Sequence, residues 1–474
     1  MIKRILAVIM MCALALGYNP TYVLSESDSA SLAAHKTSAK ARPKNNDLAP
    51  AVHESGSLPV QLSQVRPALT LSDCYQMSLV QSEIIAISAD LIKVTEAHFL
   101  QALSIGLPHV SFQSSDFQQA DATIEDTGGG ASSASASLKN STRNFNATQT
   151  LFNGFKAIAA MRGSKYERSQ RTEEKTRAEQ LLLVDVSNAF YLLIEKRQDI
   201  KVLIMTRDAL ANRVKELRDR ADIGKSRPSE IVNAKAQFYS VEAALEVSRS
   251  QEVIARQLLE FLVGQPVGEV VDMYRFPSRL LSESYYVAKA DYRPDVAAAK
   301  YAWQLKKEGI LVADSGFLPE VNFETNYYTQ RTGFDKGTDW DIMLTVDVPI
   351  FDGGLTLGNS KEANLQADQA ALLFHRTKRL APYDIKNTYV TLKTAMAVCD
   401  ALRKTYTTAK LNYHLQRKDY MRNLVNNLDV LASIQTLQDS ERNYIHALYE
   451  AKRQYWQLRV AIGQSGTESL NDAF

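Results

Sequence analysis

The chain is poor in most of what chemistry requires. Its 474 residues include three cysteines and seven histidines. No Cys-x-x-Cys pair, zinc-binding His-Glu-x-x-His or phosphate-binding glycine-rich loop occurs, and no carboxylate constellation joins His98 and His109, the nearest histidine pair. Catalysis, a resident metal and a cofactor are therefore not expected. Charge of one sign is also lacking: 55 Lys and Arg stand against 53 Asp and Glu, which gives no reason to expect nucleic acid as a partner. Past the N-terminus there is no apolar run of the roughly 18 residues that a membrane helix needs. A mature chain that crosses a membrane must do so with strands.

Glycine and proline are missing over two long stretches, Ser164 to Ile223 and Tyr383 to Ile462. The first belongs to a predicted helical hairpin from Lys156 to Val263, whose tip reads from Arg220 to Ile231. Within it Leu183, Val186, Phe190, Leu193, Ile200, Ile204, Ala211, Val214 and Leu217 recur at steps of three, four or seven, the seam of a coiled coil. Ile231, Ala234, Phe238, Val241 and Leu245 resume that spacing after the tip, so the two arms can pack antiparallel. A plain coiled-coil spacer shows the same spacing.

Lys3 and Arg4, an apolar run from Ile5 to Leu16, and the small pair Ala15 and Gly17 read as an export signal over residues 1–17. Cys12 lies inside it. Residues 18–68, rich in Ser, Ala, Lys and Pro, form a flexible leader. Cys74 and Cys399 sit singly in helical patterns and are expected as buried apolar side chains rather than a disulfide.

The remaining chain reads as two copies of one unit, residues 69–264 and 291–463, joined by a linker over 265–290 and followed by a tail over 464–474. The first copy runs as a helix capped at Ser72 and reaching about Ile105, Gly106-Leu107-Pro108, an extended run from Val110 to Phe117, the Gly, Ser and Ala segment from Thr127 to Ser137, a second extended run from Asn144 to Phe152, and the hairpin. The second runs as helical Pro294 to Asp314, Gly316-Phe317-Leu318-Pro319, extended Val321 to Gln330 and Trp340 to Ile350, then Phe351-Asp352-Gly353 and a helical remainder. Gly154 and Gly353 lie 199 residues apart (353 − 154), and the same offset from Gly224 gives Asn423, from Glu230 Asp429. A second tip is therefore expected near Asn423, a residue type that tolerates the left-handed conformation. Pro382 either kinks its helix or ends it.

From Trp340 to Ile350 apolar and polar residues alternate over a length suited to a tilted membrane strand, with Tyr327, Tyr328 and Trp340 as an aromatic girdle against lipid. A half-buried strand of a soluble sheet alternates in the same way. Two strands per copy give four per chain, too few to close a barrel. An open edge in lipid leaves backbone groups unpaired, so chains must combine. Three chains would supply twelve strands.

The order of signal, leader, helix, Leu-Pro, strand pair, Phe-x-Gly and long hairpin resembles the TolC family of outer-membrane efflux and secretion channels, and Asp222-Ile223-Gly224 with Ser229-Glu230-Ile231 is similar to the family's tip pattern. The resemblance implies an α+β membrane protein: a homotrimer with a shared twelve-stranded β-barrel in the outer membrane and long coiled-coil helical hairpins forming a periplasmic tunnel. It would be a passive duct for a tripartite efflux pump or type I secretion system, working with a periplasmic adaptor and an inner-membrane transporter of RND or ABC type. A soluble periplasmic coiled-coil scaffold is the alternative. The resemblance further implies a periplasmic entrance at Asp429, Tyr420 and Glu230, and adaptor-contacting tips at Gly224, Lys225 and Ser226 and at Asn423 and Leu424. Three positions depart from the family: Asn423 replaces a glycine, Val425 a basic residue that helps hold the entrance shut, and Ala432 a second acidic ring. The exported cargo is not written in the chain.

Overall fold

In the computed structural model the described residues are 68–118, 139–274, 279–332 and 337–464. The expected signal, most of the leader, Cys12, the Thr127 to Ser137 segment and nearly all of the tail lie outside them. Two helices, α1 (Leu71–Gln81) and α2 (Glu83–Ser104), precede strands β1 (His109–Gln118) and β2 (Lys139–Asn153) and the hairpin of α3 (Lys156–Asp222) and α4 (Pro228–Val263). The short α5 (Glu283–Val287) leads to α6 (Pro294–Asp314), strands β3 (Glu320–Arg331) and β4 (Trp340–Asp347), and a second hairpin of α7 (Leu355–Met421) and α8 (Asn427–Ala461). The helices α3 and α7 each hold 67 residues, about 100 Å at the α-helical rise. Their first residues, and those of α4 and α8, keep the offset of 199 (355 − 156 and 427 − 228).

Several local expectations give way. Thr70, not Ser72, caps α1: its hydroxyl accepts the Asp73 N–H at 3.3 Å, while the Asp73 carboxylate accepts the Thr70 N–H at 2.9 Å. The first helix is two helices, because Ser82 turns extended at ψ 115°. β2 begins earlier than expected, at Lys139, and β4 stops at Asp347, short of Pro349, which has no N–H for a ladder. Pro382 sits inside an uninterrupted α7. The linker carries α5 and a bridge that ties Val270 to Leu69.

The seam of α3 is wider than a two-helix coil requires. Ala211 is exposed and Leu210 is buried in its place, and Val202 and Leu203 are buried beside the half-buried Ile200 and Ile204. The cause is a second partner: α3 packs on α4 and also on α8. Near the roots of the hairpins Leu183, Phe190 and Leu193 of α3, Leu259 of α4 and Trp456 of α8 close over Cys74 and Tyr75 of α1. Each such large side chain contributes about 1.5–3 kcal/mol by leaving water. Burial pushes the Cys74 thiol up to about 12, and Cys74 and Cys399 are both free, Cys74 buried as expected and Cys399 only half-buried.

The four strands form one antiparallel sheet in the order β1-β2-β3-β4, so the centre of the sheet is the seam between the two copies. Along the hairpins the order is α4-α3-α8-α7, and nearer the sheet it is α2-α3-α6-α7. At every level the outermost element on one side comes from the first copy and on the other side from the second.

Candidate functional site: two tips, one seam and a two-faced sheet

The two tips share a backbone. Gly224 (φ 73°) and Asn423 (φ 60°) both take the left-handed conformation, as the repeat predicts. Lys225 N–H donates to the Arg220 carbonyl at 2.8 Å, and Leu424 N–H donates to the Asp419 carbonyl at 3.0 Å. Both expected acids cap the helix that follows. Glu230 accepts from the Ser226 hydroxyl at 2.6 Å, and Asp429 accepts from the Asn426 N–H at 3.1 Å. Ile223 and Leu424 are exposed at the two tips.

Tyr420 is different. It is buried, with the Arg213 guanidinium 3.6 Å from its ring centre and that of Arg220 at 4.4 Å. Arg213 is 4% exposed and donates from Nε to Asn427 Oδ1 at 2.9 Å and from a terminal nitrogen to Glu216 at 2.9 Å. A buried cation of the first hairpin thus holds both ends of the second tip. Sequence reasoning missed Arg213, and placed Arg220 and Asn427 at the tips without this contact.

The seam between α3 and α8 continues upward through ion pairs. The Asp199 carboxylate accepts from Arg442 at 2.5 and 3.1 Å and from Ser248 of α4 at 2.9 Å, so it joins three helices. The hydrogen bond from Arg442 to Asp199 holds its guanidinium above the usual range. Glu195 accepts from Arg453 at 2.9 Å, with His446 Nδ1 at 3.1 Å. Lys452 bonds Asp272 of the connecting segment.

The sheet has two unlike faces, fixed by its register. Val110 and Phe112 of β1 lie opposite Ala147 and Phe145, which lie opposite Thr325 and Tyr327, which lie opposite Ile342 and Trp340. This face is apolar, and Phe112, Phe145, Trp340, Ile342 and Leu344 are exposed on it. The other face is polar. Asn146 Nδ2 donates to Glu324 at 2.7 Å and to Asn326 at 2.9 Å, and Asn326 donates to Asp341 at 3.0 Å. Tyr327 and Trp340 pair on the apolar face. Tyr328 does not join them: neighbouring strand residues point oppositely, and its hydroxyl donates to Asp341 at 2.8 Å. Tyr328 therefore leaves the expected girdle.

Residues 288–464 match the family of outer membrane efflux proteins. The chain is TolC-like. The outer membrane protein TolC of Vibrio cholerae serotype O1 is 21% identical over 316 residues, covering 64% of this chain and 72% of that one. Among solved structures the outer membrane protein VceC of Vibrio cholerae superposes with a TM-score of 0.73 at 20% identity, over 83% of this chain and 96% of VceC. The CmeC outer membrane channel of Campylobacter jejuni gives 0.72 at 15% identity, over 90% and 97%. Long coiled-coil hairpins with four antiparallel strands per chain are thus the fold of this TolC-like protein. Among the described residues no helix is long and apolar enough to cross a membrane and no group of His, Cys, Asp or Glu is arranged to hold a metal.

Proposed function

We propose that this TolC-like chain is one part of a cylindrical exit duct in the outer membrane, a passive conduit for cargo handed over in the periplasm. The observation that carries this reading is the sheet: four strands with an apolar outer face, a polar inner face and two open edges. Lipid leaves no solvent for the free backbone groups of β1 and β4, so copies must join edge to edge. The elements left open on the two sides differ, with β1, α2 and α4 on one side and β4 and α7 on the other, which makes the contact head-to-tail and the assembly a ring. Apolar side chains stand exposed on both sides, Val247, Ile254 and Phe261 on α4 and Leu373, Leu380 and Leu411 on α7. Two copies would give eight strands, whose interior side chains fill. Three give twelve and leave a passage. The scaffold alternative leaves the apolar face of the sheet in water.

The second tip is the periplasmic entrance in this reading, with Tyr420 and Asp429 at it, and Arg213 does the holding that Val425 cannot. Glu230 stands at the same entrance, and Gly224, Lys225 and Ser226, with Asn423 and Leu424, form the rim that meets a periplasmic adaptor serving an RND or ABC transporter. The test is sizing of the detergent-extracted protein followed by recording in a planar bilayer. A trimer that conducts is expected; a water-soluble monomer, or a trimer that stays silent, overturns the reading.

A further inference from the structure

The joint between the hairpins at the second tip leaves two buried donors unused. Arg213 is 4% exposed and Asn427 1% exposed, and among the described residues neither Arg213 Nη2 nor Asn427 Nδ2 has a hydrogen-bond partner. Buried polar groups are almost always satisfied, and a native one that is not calls for a bound water or ion. The two orphans belong to one place. The bond from Arg213 Nε to Asn427 Oδ1, 2.9 Å long, lies two covalent bonds from each of them, so a single small acceptor set beside it meets both.

Three observations give that acceptor a negative charge. Both orphans are donors, and one of them sits on a guanidinium cation. The charges around Tyr420 do not balance: the guanidiniums of Arg213 and Arg220 share one carboxylate, Glu216, at 2.9 and 3.6 Å. Asn427 is also the first residue of α8, a helix of 35 residues whose start carries the positive end of the helix dipole. Water is a poorer fit, because it would accept from both nitrogens and leave the excess positive charge in place, and a buried charge without a counter-charge costs more than a lost hydrogen bond. Asp429 does not supply the missing charge, since its carboxylate is turned to the Asn426 N–H at 3.1 Å. The first tip has no counterpart: the repeat sets Asn427 against Pro228 (427 − 199), whose side chain has no donor.

We propose that Arg213 and Asn427 hold a small monovalent anion of chloride size between the two hairpins, and that this anion is the removable part of the tether on the second tip. The site stands without the duct reading, and only its effect on conduction rests on it. The full mature chain in detergent is compared in sodium chloride and in sodium gluconate, a far bulkier anion, at equal ionic strength. Binding slows exchange from the open state by the factor 1 + [L]/Kd, so chloride at about ten times its Kd should slow amide exchange over residues 419–430 about tenfold and leave 220–231 unchanged. Crystals grown in bromide should show its anomalous signal between Arg213 Nη2 and Asn427 Nδ2. Asn427→Asp sets a carboxylate beside Arg213 and should make exchange slow in both salts, while Glu216→Gln, which removes the competing carboxylate, should lower the chloride concentration required. Sizing of each variant confirms assembly. Equal exchange of the wild type in the two salts overturns the proposal, as does a bridging water in place of bromide, shared with Gln416 Oε1, a buried acceptor one turn before Tyr420 that also has no partner among the described residues. In planar bilayers chloride should favour the closed entrance. A trimer whose exchange responds to chloride but which carries no current overturns the duct reading and leaves the anion site standing.

Discussion

The two hairpin tips share a backbone and differ in what holds them. The first is closed by its own residues: Gly224 turns, and Ser226 and Glu230 cap. The second repeats these bonds with Asn423, Asn426 and Asp429 and adds a grip from outside, Arg213 of the other hairpin against Tyr420 and Asn427. Duplication supplies the turn, and divergence at a few side chains adds to the second tip a buried cation of the other hairpin, while the first tip meets the second through Arg220, 4.4 Å from the Tyr420 ring.

The sharpest way to break the comparison is Arg213→Ala. It leaves Tyr420 and Asn427 buried without their partner, a loss of about 3 kcal/mol from one buried hydrogen bond and one desolvated cation–π contact. Hydrogen exchange should accelerate over residues 419–430 and not over 220–231, and single-channel conductance should rise; equal exchange at both tips would show that the tether holds nothing. Next in size is Asp199→Asn, which weakens the junction of three helices by about 2 kcal/mol. It should lower the thermal midpoint without freeing either tip selectively, as read by the same exchange experiment. Gly224→Ala forces a Cβ into the left-handed region, at about 1–2 kcal/mol, while Asn423→Ala keeps the Cβ already there and loses only a side chain that can bond locally. Denaturation should register Gly224→Ala as the larger of the two, from backbone strain alone, since nothing lies within 4 Å of a Cβ at Gly224. The smallest expected changes are the caps, Glu230→Ala and Asp429→Ala, about 1 kcal/mol each. Equal helix fraying by exchange is the check, and a much larger effect at Asp429 would mean that it does more than cap.

Much of this architecture was legible because it repeats. The second stretch without glycine or proline reads locally as one unbroken helix, yet the offset from Gly224 placed a turn at Asn423, where it is found. Long stretches without glycine or proline, and strands with a period of two, carried the rest of the element order. What stayed hidden depends on which helices become neighbours. Arg213 reads like any other cation on a solvated helix, and the residue it meets is 214 positions away. The breadth of the α3 seam was hidden for the same reason: a helix with two partners buries positions that a two-helix heptad assigns to water. Tyr328 is a different kind of miss. Period-two alternation already separates it from Tyr327, so the signal was present in the sequence.

The open flanks of the sheet have a genetic consequence. If each copy must be completed by its neighbours, a chain with a damaged β1 or β4 edge spoils the intact copies it joins as well as itself. Co-expressed with the normal chain, such a lesion should act as a dominant one, and a minority of faulty subunits would silence a disproportionate share of the pores.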